Sequence, residues 1–275
     1  MGEQARDMGS RFRNLLFGST AGTLLLMLVG LYTAYKGAGL TCERRWPLCD
    51  GWLGLFPANW PSFVEWSHRL LAMLVGFALL GLLYAAWRRQ DDSRVKWAVT
   101  AAVALLPSQI ILGALTVTEF TALITAAHFA TASLILLCLA AACAWTVETP
   151  PVGQLRTLAI AAAVAVPFHL ALDGSLFLVS VNVLTGYYAL SFLLWGALAA
   201  GALWAHARGL SRARLLFALA SAVTWVDMLL ARRKFGLDQT LTDVGAVVVL
   251  VLLAGVIWTL SKRTDARGAT AARAD

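Results

Sequence analysis

Eight stretches of this chain stay apolar for about as long as the hydrocarbon core of a bilayer requires, roughly 20 residues of helix each. They fall near 15–36, 67–87, 97–117, 122–146, 156–174, 177–205, 212–231 and 242–261. Backbone inside lipid must satisfy its own N–H and C=O groups, so runs of this length dictate helices and exclude an open sheet. Of the 275 residues 60% are hydrophobic and 13% charged, which is not the composition of an ordinary soluble domain. The net charge of +7 does not mark a nucleic-acid partner, because the basic residues gather between the runs instead of forming a stripe. Pro107 and Pro167 lie inside the third and fifth runs, where neighbouring helices can satisfy the freed carbonyls. Met1 to Asn14 is mixed in charge and precedes a run too long for a signal peptide, so the first run is read as a retained helix.

The charges between runs set an orientation. Arg6, Arg11 and Arg13 precede the first run; Arg88, Arg89, Arg94 and Lys96 join the second to the third; Arg156 lies between the fourth and fifth. Arg208, Arg212 and Arg214 lie between the sixth and seventh, and Lys262, Arg263, Arg267 and Arg273 follow the eighth. If the runs alternate, all of these share one side, which predicts a multi-pass protein of the cell membrane with both termini cytoplasmic. Arg232-Arg233-Lys234 falls on the opposite side, near Asp227, Asp238 and Asp243, which offset its charge. The longest outer segment, from about Lys36 to Trp66, is rich in tryptophan and carries Cys42 and Cys49. A long aromatic loop over one end of a bundle reads as a lid or partner site. Thr125-Ala126-Ala127-His128 and Thr240-Leu241-Thr242-Asp243 begin the fourth and eighth runs alike. The expected fold is therefore all-α and integral to the membrane, with eight transmembrane helices as two pseudo-repeated four-helix bundles, 1–146 and 147–275.

Glu65-Trp66-Ser67-His68-Arg69 stands at the mouth of the second run. Ionisable groups there cost several kcal/mol unless partnered. In the bland reading Arg69 snorkels, Glu65 pairs with it and His68 caps the helix. His68 and His128 enter the second and fourth runs from one side at similar depth. Those two helices can face each other across a bundle core. Two imidazoles so placed could ligate haem iron from both faces, or each could hydrogen-bond a neighbouring helix. His169 follows Pro167 and either lines a cavity or satisfies the carbonyl the proline frees, while His206 is interfacial. Cys42 and Cys49 suit a disulfide or a redox-active dithiol favoured by Arg44 and Arg45; two sulfurs without a nearby histidine argue against zinc. Cys138 and Cys143 pack as small hydrophobes. Gln109, beside Gly113 and Thr116, either lies at a close helix contact or hydrogen-bonds a polar substrate group.

Several of these pieces recur in order in one family. Lys36 to Cys42, Trp46-Pro47-Leu48-Cys49-Asp50-Gly51, Glu65 to Arg69, Gln109 to Val117 and Ala127-His128 together resemble the haem A synthase family over about residues 20–146. The resemblance implies an eight-helix protein of two similar halves. It implies oxidation of the C8 methyl of haem O to the formyl group of haem A, for insertion into terminal oxidases. It also implies His68 and His128 as haem iron ligands, Glu65 as the catalytic carboxylate, and Cys42 and Cys49 as the outer cysteine pair, able to form a disulfide and linked to redox function. Arg69 is then a candidate propionate partner, and Gln109 a candidate cavity contact. The implied partners are haem O, the bilayer, an electron acceptor of unassigned identity, and haem O synthase or terminal oxidase assembly factors. In the second half the family holds haem b between two further histidines. Here Val179 to Leu184 begins the sixth run without one and Asp243 stands where the other would fall. Haem b there is doubtful, and His169 is the remaining candidate for any second-half site. The competing class is a membrane b-type cytochrome or haem-binding subunit that carries electrons or haem without modifying it. Glu65 favours the enzyme, since an electron carrier needs no carboxylate beside its axial ligand.

Overall fold

The computed structural model describes the backbone of residues 2–42, 45–119, 121–172, 180–231 and 239–271, with the side chains of all but 2–8, 239–242 and 264–271. The side chains of Arg6, Thr240, Leu241, Thr242 and Arg267 lie outside this set, as do Glu43, Arg44, Val179, Arg232, Arg233, Lys234, Asp238 and Arg273. The described residues form nine α-helices: α1 (Gly2–Tyr35), α2 (Trp60–Arg89), α3 (Ser93–Ala104), α4 (Leu106–Thr118), α5 (Ala122–Thr146), α6 (Val152–Leu170), α7 (Val181–Ala207), α8 (Ser211–Leu230) and α9 (Gln239–Ala271). They supply eight segments long and apolar enough to cross a membrane, with α3 and α4 sharing the one from Ser93 to Thr118. The protein is an all-α, multi-pass membrane protein.

Two boundaries correct the sequence reading. α2 begins at Trp60, about two turns before the expected start near 67. Asn59 is extended, and its side-chain oxygen accepts from Ser62 N at 3.0 Å. Such a cap stabilises a helix by about 1 kcal/mol, and Pro61 in the first turn costs no hydrogen bond. Glu65, His68 and Arg69 therefore stand in the second and third turns of α2 instead of at its mouth. The loop before it shortens to 36–59 and includes 3-10 turns at Ala38–Leu40 and Trp52–Gly54. The third span is also not one unbroken helix. It breaks at Leu105, with Pro107 in the first turn of α4, because proline lacks an N–H and its ring collides with the carbonyl four residues earlier. Pro167 is tolerated near the end of α6.

The chain forms two compact units, 1–146 and 147–275. In the first, α2 and α5 each pack against both α1 and α3, and α4 packs on α5. Phe12, Leu16, Leu79, Leu82, Ala86, Val99, Ala102, Leu139 and Ala142 fill the centre, each 1% exposed or less. In the second, α6 packs on α7 and α9, and α8 on the same two. Its core gathers Leu155, Ala159, Leu198, Phe217, Ala220, Leu253 and Val256. A methyl at Gly201 would lie 2.9 Å from Cε1 of Phe217, so the glycine seats that ring. Lipid tails are as apolar as leucine, so these cores hold by close packing of small against large side chains.

Exposed large residues mark the lipid side. Met73, Phe77, Leu80 and Tyr84 form one stripe along α2, all at least 50% exposed, at helical spacing. The stripe continues into an aromatic ladder in which Trp52, Phe56, Trp66, Phe63 and Trp60 stand ring to ring, 5.4–6.5 Å between centroids. At the other end of the first unit Lys96 lies over Trp87 at 5.6 Å and Arg94 over Trp145 at 5.5 Å. Asp92 caps α3 there, accepting from Arg94 N at 2.8 Å, and the Arg94 side chain holds its carboxyl below the usual range. Paired aromatic and basic side chains suit a headgroup layer.

Candidate functional site

α2 and α5 share both neighbours and so stand diagonally in the first unit. Each brings a histidine inward. The His68 ring lies against Gly30 of α1, where an added methyl would come within 2.8 Å of Cε1. His128 lies more loosely beside Gly113 of α4, where an added methyl would sit 3.5 Å from its Cε1, an ordinary contact. The two imidazoles are close enough to act on each other electrostatically. Nδ1 of His68 is buried without a hydrogen-bond partner. Such an orphaned nitrogen is costly unless something outside the chain engages it. This donor set fits haem: two imidazoles on diagonal helices, a buried ring nitrogen of His68 without a partner, and a seat for the His68 ring that only glycine leaves open.

The seat gives a first expected result. Gly30→Ala forces the His68 ring to move, and overpacking of this kind costs about 1–3 kcal/mol. A lowered midpoint of thermal unfolding, with reduced haem content of the purified variant, is the outcome to look for. A variant matching the parent in both would show that the ring has room to spare.

Glu65 lies one turn before His68 on the same face of α2 and is 5% exposed. Its Oε1 accepts from Nε of Arg69 at 2.8 Å. Nη1 of Arg69 turns to the preceding loop, donating to the carbonyls of Leu48 at 2.6 Å and Arg45 at 2.9 Å, with that of Pro47 at 3.3 Å. Nη2 is buried without a partner. Gln109 donates Nε2 to the backbone carbonyl of His128 at 3.0 Å, so its amide nitrogen ties α4 to α5.

Cys42 and Cys49 form a disulfide. The sequence reading allowed an exposed dithiol, but both cysteines are only 1% exposed. Ser62 and Asp50 hold the loop over them. Ser62 Oγ lies 2.6 Å from Asp50 Oδ2 and 3.3 Å from the carbonyl of Thr41. Asp50 also accepts from Ala58 N at 3.1 Å and Asn59 Nδ2 at 3.2 Å. The Ser62 hydroxyl and the Ala58 N–H hold the Asp50 carboxyl below the usual range. Its support for the loop is thus full above the ordinary carboxylate value and fades as pH falls through the depressed one. Cys42, Cys49 and Asp50 also offer ligand atoms within 4.8 Å of one another, but the sulfurs are spent on each other.

In the second unit His169 is 6% exposed. Its Nε2 lies 2.7 Å from Ser191 Oγ, and its ring stacks on Tyr187 at 4.3 Å. Ser191 Oγ also lies 2.8 Å from the carbonyl of Tyr187, so one hydroxyl bridges the imidazole and the α7 backbone. His206 is exposed and meets Arg214, as its interfacial reading expects. Asp243 is exposed, whereas Asp227 is the buried carboxylate, 6% exposed and packed against Gly245 of α9. The sequence reading missed Asp227 as a buried group, treating it as a counter-charge to Arg232. Its heptad-like spacing from Ala220 and Thr224, both buried, was the available signal. Cys143 meets Thr20 at 3.3 Å, and Cys138 is a half-buried free thiol.

Fold and site together define an eight-span helical membrane protein with paired intramembrane histidines and a disulfide loop over one end. No family model matches the chain. It is homologous over part of its length to proteins named for two steps of haem modification. It is 34% identical over 146 residues to the Protoheme IX farnesyltransferase of Halobacterium salinarum, covering 52% of this chain and 31% of the relative. It is 34% identical over 125 residues to the Heme A synthase of Bacillus licheniformis, covering 44% and 41%. With the Heme A synthase of Bacillus pumilus the identity is 34% over 110 residues, covering 38% and 35%. The matched segment thus spans well under half of each relative's own length.

Proposed function

We propose that the chain is a membrane haem A synthase, oxidising the C8 methyl of haem O to the formyl group of haem A. The observation that carries this is the pairing of His68 and His128 on diagonal helices with Glu65 one turn from His68. Partial homology to proteins named Heme A synthase supports it. His68 and His128 are the residues that would hold haem, whose iron would supply the redox chemistry. The protein's own part is orientation and proton handling. With both ligands fixed, the porphyrin would be held in one register, so that one edge methyl would meet one protein group. Glu65, shielded from solvent and paired to Arg69, is placed to accept a proton as that methyl is oxidised. Methyl to formyl balances when water supplies the oxygen and four electrons and four protons leave; the electrons would pass to an acceptor of unassigned identity.

In this reading the chain is two repeats of a four-helix bundle, 1–146 with the site and 147–275 as scaffold. Both termini are cytoplasmic, and the disulfide loop faces the oxidising side. Haem O synthase and terminal oxidase assembly factors are the expected neighbours in the membrane. The sixth and eighth runs lack the family's histidine pair, and His169 is already bonded to Ser191. The purified protein should therefore carry haem at one site per chain, unchanged in His169→Ala. A ratio near two that falls in the variant would assign a second site to α6. The function is tested in cells that make haem O but no haem A. Expression of the chain should cause haem A to appear, and continued absence of haem A beside well-folded protein would refute the assignment.

A further inference from the structure

The Cys42–Cys49 disulfide closes a small ring of chain, and the ring has an occupant. The carbonyls of Arg45, Pro47 and Leu48, all inside it, converge on Nη1 of Arg69. Nε of the same guanidinium holds Oε1 of Glu65 at 2.8 Å. One planar group therefore touches both the ring and the carboxylate. The Arg69 side chain is 14% exposed, so water competes little with its bond to Glu65, while the carbonyls it meets belong to exposed residues of the loop. A lysine is a point charge on a flexible stem and could satisfy the carboxylate or the carbonyls, but not both in a fixed plane. The Ser62 hydroxyl meets Thr41 and Asp50 at the two ends of the ring, and Arg69 ties its middle.

We propose that Arg69 is a positioning residue through which the Cys42–Cys49 ring sets the placement of Glu65. Closed, the ring fixes the guanidinium and so the carboxylate. Opened, it lets the carbonyls part, and Glu65 loses its fixed partner. An external dithiol opens the ring by exchange: the Cys42–Cys49 bond breaks, both sulfurs become thiols, and the dithiol leaves as its own disulfide. The functional consequence rests on the role proposed for Glu65, but the coupling itself does not.

The test is the rate at which dithiothreitol opens the disulfide in the full-length protein, read by alkylation and mass spectrometry. Glu65→Gln should open several-fold faster than the parent although it leaves the ring untouched. Arg69→Lys should open about tenfold faster, and the double variant no faster than Arg69→Lys alone, as for residues acting in series. Rates that multiply, or a Glu65→Gln rate equal to the parent's, would overturn the coupling. If Arg69→Lys does not fold, the comparison of Glu65→Gln with the parent decides alone. A second arm uses Cys42→Ser/Cys49→Ser, which should keep bound haem while forming less haem A. Undiminished haem A in this variant, where Glu65→Gln abolishes it, would overturn the proposal. Faster opening in a Glu65→Gln protein that still makes haem A would uphold the coupling and remove Glu65 from the chemistry.

Discussion

Glu65→Gln is expected to lower haem A formation by about 10²–10⁴-fold, the span that a lost general acid or base commands, while bound haem stays near the parental level. The substitution keeps size and leaves a neutral amide oxygen for Nε of Arg69 in place of the carboxylate, so the helix survives while the tie to the loop weakens. What goes is the negative charge, 5% exposed and one turn from His68. Haem O should accumulate in the purified variant. Parental haem A output would reduce Glu65 to an ion-pair partner that holds Arg69.

His68→Ala and His128→Ala should each strip haem from the protein. The loss should exceed the ~10–100-fold in affinity that removing a ligand's outer-shell partner costs. Each variant leaves space beside a glycine, Gly30 or Gly113, so neither introduces a clash that would unfold the bundle. The optical spectrum of the purified variants and their haem-to-protein ratio report the outcome. If both variants keep the parental spectrum and content, iron is not held by this pair.

The eight spans were legible because lipid enforces length and apolarity on each, and all eight fall where hydropathy puts them. The start of α2 was not. Asn59, Trp60 and Pro61 read as part of the aromatic loop, whereas the cap bond from Ser62 N to Asn59 begins the helix there. The break at Leu105 was signalled by Pro107 but masked by the apolar run around it. Paired depth brought His68 and His128 to attention, yet their glycine neighbours could not be read, because Gly30 and Gly113 are far from either histidine in sequence. Arg69 was read as a snorkelling or propionate-binding residue. Its hold on the ring depends on carbonyl directions, which no side-chain pattern encodes. His169 was ambiguous for a similar reason, since Ser191 and Tyr187 reach it from another helix.

The most direct measurement is acid extraction of pigment from the purified protein, produced in cells that supply haem O, with chromatographic identification of the haems. The account predicts haem O and haem A in the extract of the parent and haem O without haem A from Glu65→Gln. Haem B alone from the parent would contradict it and make the protein a carrier of electrons or haem.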